Sequence, residues 1–360
     1  MTDSSPPSIP PLQPWLVRIA DTFAPQVGEI LAQLGAENTV RLGEDYYLIK
    51  TARPERVSQA PEAAFLRWNL PVQHMWPCQP QRMTDFIEKA AQTLWKKFGA
   101  AEPQSLLVGQ LQPNVADTYY KHLASNLRGR TLQLFPKLPA SVVEEQDPQR
   151  PTLFAMVGSE GLYAGVHSPR AANGFYAGGS RYISLSTPGT ISRAGGKIAE
   201  ALHYVRLYRP ALPEQSHWLE LGAAPGGMTS ELLARGHRVT AIDRAAMDRR
   251  LDRHEGLRFI AADVAEFTPP ADARYDALLC DMNGPPHEAM HAVLRFVPYL
   301  ERHGLIVFTL KFSRTDTVRD PLQLLRNILS QATSAGLRLL ARTHLTYNGH
   351  EFTLFFEQQK

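Results

Sequence analysis

The 360-residue sequence has little cysteine and no long hydrophobic run. Its two cysteines, Cys78 and Cys280, are too few for a disulfide framework or for a zinc site built from cysteines. A membrane-spanning helix needs about 18 consecutive apolar residues. The apolar segments of this sequence are all much shorter than that. The polar, proline-rich start lacks the basic and apolar parts of a signal peptide. We therefore expect a cytosolic protein with no membrane span.

The sequence also lacks a strong net charge, which is +3 with an isoelectric point near 8.8. This balance permits a nucleic-acid partner without requiring one, so local clusters carry more information. A solvated protein face explains such clusters equally well. The basic residues in question are Lys96, Lys97, Lys121, Arg128, Arg130 and Lys137.

The pattern of apolar residues predicts several units along the chain, as expected for this length. Residues 1–13 form a flexible tail and residues 14–60 a ferredoxin-like α+β unit. Residues 61–168 form a second mixed unit, with helices over 83–98 and 116–127 and a strand over 132–135. A connector at 169–192 precedes residues 193–360, where strands and helices alternate. That alternation predicts an α/β domain with a doubly wound, Rossmann-like parallel sheet.

A glycine-rich turn follows the predicted strand at 218–221 and opens a helix. Glycines at this place let the backbone approach a ligand that a Cβ would exclude. Their spacing over Gly222–Gly227 is Gly-x-x-x-Gly-Gly, which differs from the Gly-x-Gly-x-x-Gly of dinucleotide sites. A Walker motif at 194–197 is excluded as well, because Ile191 and Ile198 replace its first glycine and its Ser/Thr. NAD and ATP are therefore poor candidates.

Two aspartates after the next strands indicate the cofactor. Asp243 ends the second strand, about 20 residues on, where a carboxylate can accept hydrogen bonds from ribose hydroxyls. Asp263 follows the third strand and can accept from the amine of an adenine. S-adenosylmethionine has both groups without a pyrophosphate. The expected cofactor-binding residues are Gly222, Ala224, Pro225, Gly226, Gly227, Met228, Asp243, Asp263, Val264 and Asp281.

Four charged residues are predicted to meet at one edge of the sheet. Asp281 ends the fourth strand and Lys311 the fifth, and Glu351 begins a last strand that we expect to be antiparallel. Lys197 precedes the first strand on a helix. Ligands of doubly wound sheets lie beyond the carboxyl ends of the strands. Two amines and two carboxylates there suit proton removal from a weakly acidic ribose hydroxyl, which typically contributes roughly 10²- to 10⁴-fold to a rate.

We predict that Lys311 is the base, oriented by Asp281 and Glu351, while Lys197 contributes positive charge. A lysine is protonated at neutral pH, but a second amine and partial desolvation favour the neutral form that can accept a proton. No metal is expected, because His287 and His291 stand one helical turn apart without a third ligand.

The motifs together resemble the FtsJ-type RNA 2′-O-ribose methyltransferases over roughly residues 190–357. The resemblance implies a class I S-adenosylmethionine-dependent methyltransferase domain with a catalytic Lys-Asp-Lys-Glu tetrad at the four positions above. Met228 departs from the pattern, since an aromatic residue is common there. The matching segments are Ser192-Arg193-Ala194-x-x-Lys197, Glu220–Gly227, Cys280-Asp281-Met282, Leu310-Lys311 and Glu351.

The order of units resembles FtsJ-type enzymes that carry a ferredoxin-like and a THUMP-like RNA-binding domain before the catalytic domain. This resemblance implies methylation of a cytidine in bacterial 23S ribosomal RNA, either naked or in an assembling particle. Two alternatives stay open. One is a methyltransferase for another RNA, such as transfer RNA, or for a base nitrogen. The other is a non-catalytic RNA-binding factor with a vestigial cofactor fold.

Overall fold

The computed structural model describes residues 11–80, 82–112, 118–135, 138, 143–179, 191–315 and 317–359. Contacts within the chain divide it into two compact units, Met1–Ser180 and Arg181–Lys360. Among the described residues, none of the helices has the length and apolar character needed to cross a lipid bilayer. The predicted tail and connector lie partly outside the described residues.

The first unit begins with an antiparallel sheet of four strands in the order β2-β3-β1-β4. Its elements follow the sequence as strand, helix, two strands, helix and strand, so two strand-helix-strand halves interlock in one sheet. The bounds are β1 Gln13–Ile19, α1 Val27–Gln33, β2 Ala36–Leu42, β3 Tyr46–Thr51, α2 Arg56–Gln59 and β4 Leu66–Pro71.

The edge strand β4 lies beyond residue 60, where the sequence placed a boundary. Five of its six residues are buried, and Leu70 pairs with Leu16 of β1. The segment after residue 168 packs on the same strand, because the backbone N–H of Asn69 donates to the Ala172 carbonyl oxygen. The Asn173 side chain donates to the Leu66 carbonyl oxygen. Part of the predicted connector therefore packs on the first unit.

A second four-stranded sheet completes this unit in the order β5-β8-β7-β6, with β6 and β7 parallel. Two helices pack on one of its faces through buried residues such as Phe86, Leu94 and Leu127. The bounds are β5 His74–Trp76, α3 Met83–Phe98, β6 Ser105–Gln110, α4 Tyr119–Leu134, β7 Thr152–Gly158 and β8 Gly161–His167.

The strand predicted over 132–135 is wrong, because α4 continues to Leu134. Leu123, Leu127 and Thr131 are buried at helical spacing, and the Thr131 hydroxyl donates to the Leu127 carbonyl oxygen one turn earlier. The short alternation of apolar and polar residues at this end resembles a strand, but packing on the sheet selects the helix.

The second unit is built on a seven-stranded sheet in the order β11-β10-β9-β12-β13-β15-β14. β15 runs in the direction opposite to the other six strands of this sheet, which confirms the predicted doubly wound, mainly parallel sheet. The bounds are α5 Ala194–Val205, β9 His217–Leu221, α6 Gly227–Ala234, β10 Arg238–Asp243, β11 Leu257–Ala261, β12 Tyr275–Cys280, α7 Pro286–Phe296, β13 Leu300–Lys311, α8 Arg319–Ser334, β14 Leu337–Thr343 and β15 Glu351–Gln358.

Burial on both faces explains why the central strands of this sheet are almost wholly apolar. Trp218 on β9, Phe308 on β13 and Phe352 on β15 are completely buried. Polar side chains therefore gather where the strands end. Since β15 runs antiparallel, its first residue lies beside the last residue of β13, and Glu351 pairs directly with Lys311. The carboxyl edge of the sheet thus collects the charged residues.

Candidate functional site

The glycine-rich turn between β9 and α6 forms one side of a cleft at this edge. Gly222 and Gly226 have φ angles of +77° and +102°, which residues with a Cβ rarely adopt. A Cβ on Gly227 would collide with the Ser192 hydroxyl oxygen. The backbone of the turn is held by Asp243, whose Oδ2 accepts from the Ala224 N–H at 2.9 Å. The glycines therefore permit the tight shape of the turn and its close packing on the residues around it.

The two aspartates predicted to recognise a nucleoside lie at the ends of neighbouring parallel strands. Asp243 ends β10, and Asp263 follows β11, whose register pairs Asp243 with Ala261. The Arg244 guanidinium lies 3.5 Å from Asp263 Oδ2, and Asp263 Oδ1 accepts from the Ala265 N–H. Both carboxylates are partly exposed, so both can accept further hydrogen bonds. The remaining predicted cofactor residues, Pro225, Met228 and Val264, line the same turn and loop.

A buried carboxyl group below the turn was not predicted as a site residue. Glu220 on β9 is 2% exposed, and its Oε2 accepts from the Thr229 hydroxyl at 2.7 Å. Burial raises the pKa of Glu220 to about 8, although the Thr229 hydrogen bond acts in the opposite direction. The sequence signals were an acidic residue inside an apolar strand, where a charge is costly, and its place at the start of the matching segment Glu220–Gly227.

Lys197 stands at the centre of the predicted tetrad. Its Nζ lies 2.7 Å from Glu351 Oε1 and 3.2 Å from Asp281 Oδ1. These three side chains are between 11% and 18% exposed. Burial lowers the pKa of Lys197, but the Asp281 and Glu351 carboxylates outweigh burial and leave the pKa above that of a free lysine. Lys197 therefore stays positively charged.

Two glycines bring Lys197 to this position. Gly195 and Gly196 are buried in the first turn of α5, which packs against α6. A Cβ on Gly195 would lie 2.9 Å from the carbonyl oxygen of Gly227. The Ala-Gly-Gly-Lys segment, which superficially resembles a phosphate-binding loop, thus lets α5 approach the glycine-rich turn. That approach places the lysine at the edge of the sheet.

Lys311 ends β13 and has different partners from Lys197. Its Nζ donates to the Asp281 carbonyl oxygen at 2.7 Å and to Asn283 Oδ1 at 2.9 Å. Asp281 Oδ1 lies 3.3 Å from the same nitrogen. The side chain is 25% exposed, twice as much as that of Lys197. The structure therefore brings all four predicted residues together, with Asp281 touching both amines.

A pocket of about 820 Å³ opens beside Lys311. The loop after β12 forms one wall, including Asn283 and Pro285, and residues 312–315 together with Asp320, Pro321 and Leu324 form another. Arg314 is an exposed cation on the rim. Pockets of this size are typical of sites for nucleosides and other small ligands. Sequence reasoning identified Lys311 but not this pocket, because the two walls come from separate segments.

Other charged candidates have structural partners. His287 accepts or donates a hydrogen bond with Gln331 of α8, and the described residues hold no cluster of three or more side chains that could bind a metal. The expectation of a metal-free reaction stays a prediction. In the first unit, Arg130 pairs with Glu88 at 2.8 Å, and Arg128 donates to the Leu106 carbonyl oxygen. Lys137 lies outside the described residues.

Part of the sequence that forms the second unit is similar to a known family. Residues 190–337 match the family model for FtsJ-like methyltransferases. The chain is 30% identical over 234 residues to the protein named ribosomal RNA large subunit methyltransferase M from Halorhodospira halophila. This alignment covers 65% of each chain. The protein of the same name from Aggregatibacter aphrophilus is 30% identical over 145 residues, 40% of each chain. The chain thus matches between 40% and 65% of these relatives' length, less than two thirds in each case.

Solved structures give a weaker comparison. TrmN from Thermus thermophilus aligns with 96% of this chain and 100% of its own, with a TM-score of 0.37 and 14% identity. A ribosomal RNA methyltransferase from Plasmodium falciparum aligns with 47% of this chain and 97% of its own, with a TM-score of 0.35 and 14% identity. Scores at this level support no argument about this site.

The two lysines should differ in their effect on stability. We expect Lys197→Met to lower the free energy of unfolding by about 3 kcal/mol, because the mostly buried Glu351 carboxylate loses its ion-pair partner and Asp281 loses one of its two amines. Lys311→Met should cost only about 1 kcal/mol, because water can reach the groups it leaves. Urea denaturation at neutral pH measures both. Equal losses for the two variants would contradict this assignment of partners.

Glu220 should make stability depend on pH. Its pKa is raised in the folded protein from an ordinary 4.5 to about 8, so its contribution is complete below about 4.5 and is lost as the pH rises through about 8. Glu220→Gln keeps an oxygen that can accept from Thr229 and removes the titration. We expect the stability of this variant relative to the wild type to increase between pH 5 and pH 9 by more than about 1.4 kcal/mol, the equivalent of one pKa unit. Urea denaturation across this range tests it, and a constant difference would refute it.

Proposed function

We propose that the protein methylates ribose 2′-hydroxyls of ribosomal RNA, from the premise that residues 190–337, which match the family model for FtsJ-like methyltransferases, form a methyltransferase domain. The observation that carries the proposal is the cluster of Lys197, Asp281, Lys311 and Glu351 beside the glycine-rich turn. The relatives named above act, by their names, on large-subunit ribosomal RNA. We propose the same substrate here, with a cytidine of 23S RNA as the target predicted from the sequence.

The cleft suits S-adenosylmethionine, the methyl donor of this fold. When bound, it supplies an electrophilic methyl group. Positive φ angles at Gly222 and Gly226 shape the turn, and its close packing on Ser192 requires Gly227. The backbone of this turn can take the donor's polar end. Asp243 and Asp263 offer carboxylate oxygens to a ribose and an adenine, as the sequence predicted. The buried Val264 and Met228 provide apolar contacts.

The proposed chemistry assigns different roles to the two amines. Lys197 is held between two carboxylates with a raised pKa, so it keeps its proton and supplies a fixed positive charge. Lys311 is the more exposed amine and borders the pocket, so it is the one that a substrate hydroxyl can reach. We assign to Lys311 the acceptance of the 2′-hydroxyl proton as the new oxygen–carbon bond forms. Asp281 orients it through both its carboxylate and its carbonyl oxygen.

The 820 Å³ pocket beside Lys311 is proposed to receive the target nucleotide. Its volume accommodates one nucleotide that has left the stack of its neighbours. Flat apolar groups such as Pro285 and Phe312 can lie against a base, and the Arg314 guanidinium on the rim can contact a phosphate. Asn283 accepts a hydrogen bond from Lys311 at 2.9 Å. The substrate hydroxyl would replace that contact.

We further propose that the Met1–Ser180 unit binds RNA. Its first sheet has the element order of a ferredoxin-like domain, and its second sheet, covered by two helices, corresponds to the predicted THUMP-like domain. Lys96, Lys97 and Lys121 are the exposed members of the basic set in the described part of this unit. The division into separate ferredoxin-like and THUMP-like domains and the cytoplasmic location remain predictions from the sequence.

The assignment of Lys311 is tested by Lys311→Ala. We expect methyl transfer to RNA to fall at least about 10³-fold, because proton removal loses its acceptor, while S-adenosylmethionine binding measured by calorimetry is retained. Mass spectrometry of nucleosides from RNA treated with the wild type should reveal a 2′-O-methylated ribose. Lys50→Ala, an exposed lysine on β3, serves as the matched control and should retain activity.

Each contrary outcome selects an alternative. A methylated base instead of a ribose would support a base-modifying enzyme, and methylation of transfer RNA alone would change the substrate. If no heat accompanies S-adenosylmethionine addition to the wild type, a non-catalytic RNA-binding factor is favoured. Full activity of Lys311→Ala would eliminate the proposed base while leaving the substrate assignment intact.

Substitution of Arg314 tests whether the rim of the pocket contacts the RNA backbone. We expect Arg314→Ala to weaken RNA binding and to reduce the slope of log K against log salt concentration by about 1, because one phosphate contact is lost. Arg326→Ala, on the exposed side of α8, is the control with the same change of charge. Titrations of labelled RNA at several salt concentrations provide the measurement. An unchanged slope for Arg314→Ala would show that the rim does not contact the RNA backbone.

A further inference from the structure

The loop that joins β14 to β15 leads directly into Glu351 and contains a buried polar network. Asn348 in this loop is 6% exposed and Glu351 is 8% exposed. The Asn348 Nδ2 donates to Glu351 Oε1 at 2.8 Å, the same oxygen that lies 2.7 Å from Lys197 Nζ. The carboxylate of Glu351 is therefore held from two sides, by a charged amine and by a neutral amide.

The orientation of the Asn348 amide is determined by its surroundings. Its Oδ1 accepts from the Leu345 N–H at 2.7 Å and from the Thr353 hydroxyl at 3.0 Å. A rotated amide would place its NH₂ group against one N–H donor and its oxygen against the Glu351 carboxylate. The loop backbone thus forces the amide to donate to Glu351.

A second carboxylate ties the same loop to α5. Glu200 is 4% exposed and lies one helical turn after Lys197. Its oxygens accept from the Thr346 N–H at 2.9 and 3.0 Å and from the Thr346 hydroxyl at 2.7 Å. One helix therefore carries both the amine that pairs with Glu351 and the group that anchors the loop before Glu351. Lys197 and Glu351 are fixed relative to each other at two points.

We infer that Asn348 is a positioning residue for the methyl-transfer site, and that Glu200 anchors the loop that presents it. The inference deepens the proposed function and rests on it. Asn348 touches no reacting group, and it acts by holding Glu351 in the orientation that reaches Lys197. The Lys197 ammonium in turn contacts Asp281, which orients Lys311. A displaced Glu351 carboxylate would therefore disturb the whole cluster.

The test is the nearly isosteric exchange Asn348→Asp. It preserves an oxygen that accepts from Leu345 and Thr353, and it replaces the donor to Glu351 by a second carboxylate oxygen. We expect kcat to fall roughly 10- to 100-fold at pH 8.5, as misplacement by about 1 Å can cause, with KM for S-adenosylmethionine changed by less than about twofold. Single-turnover methylation of ribosomal RNA by the full chain measures the rate.

The pH profile of this variant separates positioning from general damage. Two adjacent carboxyl groups share a proton at low pH, and that proton can replace the lost amide donor. The ratio of variant to wild-type kcat should therefore rise as the pH falls from 8.5 to 6. The other titratable groups near the pair, present in both proteins, are Lys197 and Glu200 on α5, Asp281 after β12, Lys311 on β13, and His344 and His350 in the loop. A ratio that does not change with pH would overturn the inference.

Two further variants keep the test decisive if Asn348→Asp is poorly folded. Thr346→Val removes only the hydroxyl that donates to Glu200 and should lower kcat about 2- to 5-fold without affecting S-adenosylmethionine binding. Asn69→Asp introduces the same change at a buried asparagine of the first unit, whose Nδ2 donates to the Ala171 carbonyl oxygen. This control should retain the wild-type kcat. Equal losses in Asn69→Asp and Asn348→Asp would reject a positioning role.

A crystal structure of Asn348→Asp at pH 8.5 provides a readout that does not depend on activity. We expect the Glu351 carboxylate to lie more than about 4 Å from Lys197 Nζ, beyond the range of an ion pair. An unchanged ion pair would overturn the inference. If the wild type transfers no methyl group to RNA, the proposed function fails, whereas the position of Glu351 in this structure still decides whether Asn348 holds it.

Discussion

The ion pairs of Lys197 with Asp281 and Glu351 are the interaction on which the rest of the site depends. Two carboxylates at the edge of a mostly buried sheet would repel each other without a cation between them. Placing that cation requires α5 to lie against the glycine-rich turn, which Gly195 permits. The ion pairs of Lys197 and the packing of α5 are thus coupled. The contact between Gly195 and the glycine-rich turn also shapes the cleft beside that turn.

The antiparallel strand β15 explains how the site can use the end of the chain. In an all-parallel sheet, the residue that begins a strand lies at the edge opposite to the ligand. Reversing β15 brings Glu351 beside Lys311, and the preceding loop becomes part of the site. That loop carries Asn348 and is anchored by Glu200 of α5. The reversed direction of β15 therefore brings the loop before this strand into contact with α5.

Much of the second unit could be predicted because its local patterns and its tertiary environment agree. Apolar strands ending in Asp243, Asp281 and Lys311 are typical of a parallel sheet buried on both faces, and the structure confirms their positions. The first unit was predicted less well. Residues 132–135 were interpreted as a strand, and Leu66–Pro71 was assigned to the second unit, because short apolar segments do not reveal their packing partners.

The sequence by itself determined the chemical character of the site: which strands end in charged residues, where glycines leave room for a ligand, and which family the motifs resemble. These properties are local or follow from the alternation of strands and helices. Only the tertiary structure decided which groups touch, because contacts among Glu200, Thr346, Asn348 and Glu351 depend on loop geometry and on distant segments. For the same reason, the burial that raises the pKa of Glu220 and the pocket beside Lys311 became evident only once the chain was folded.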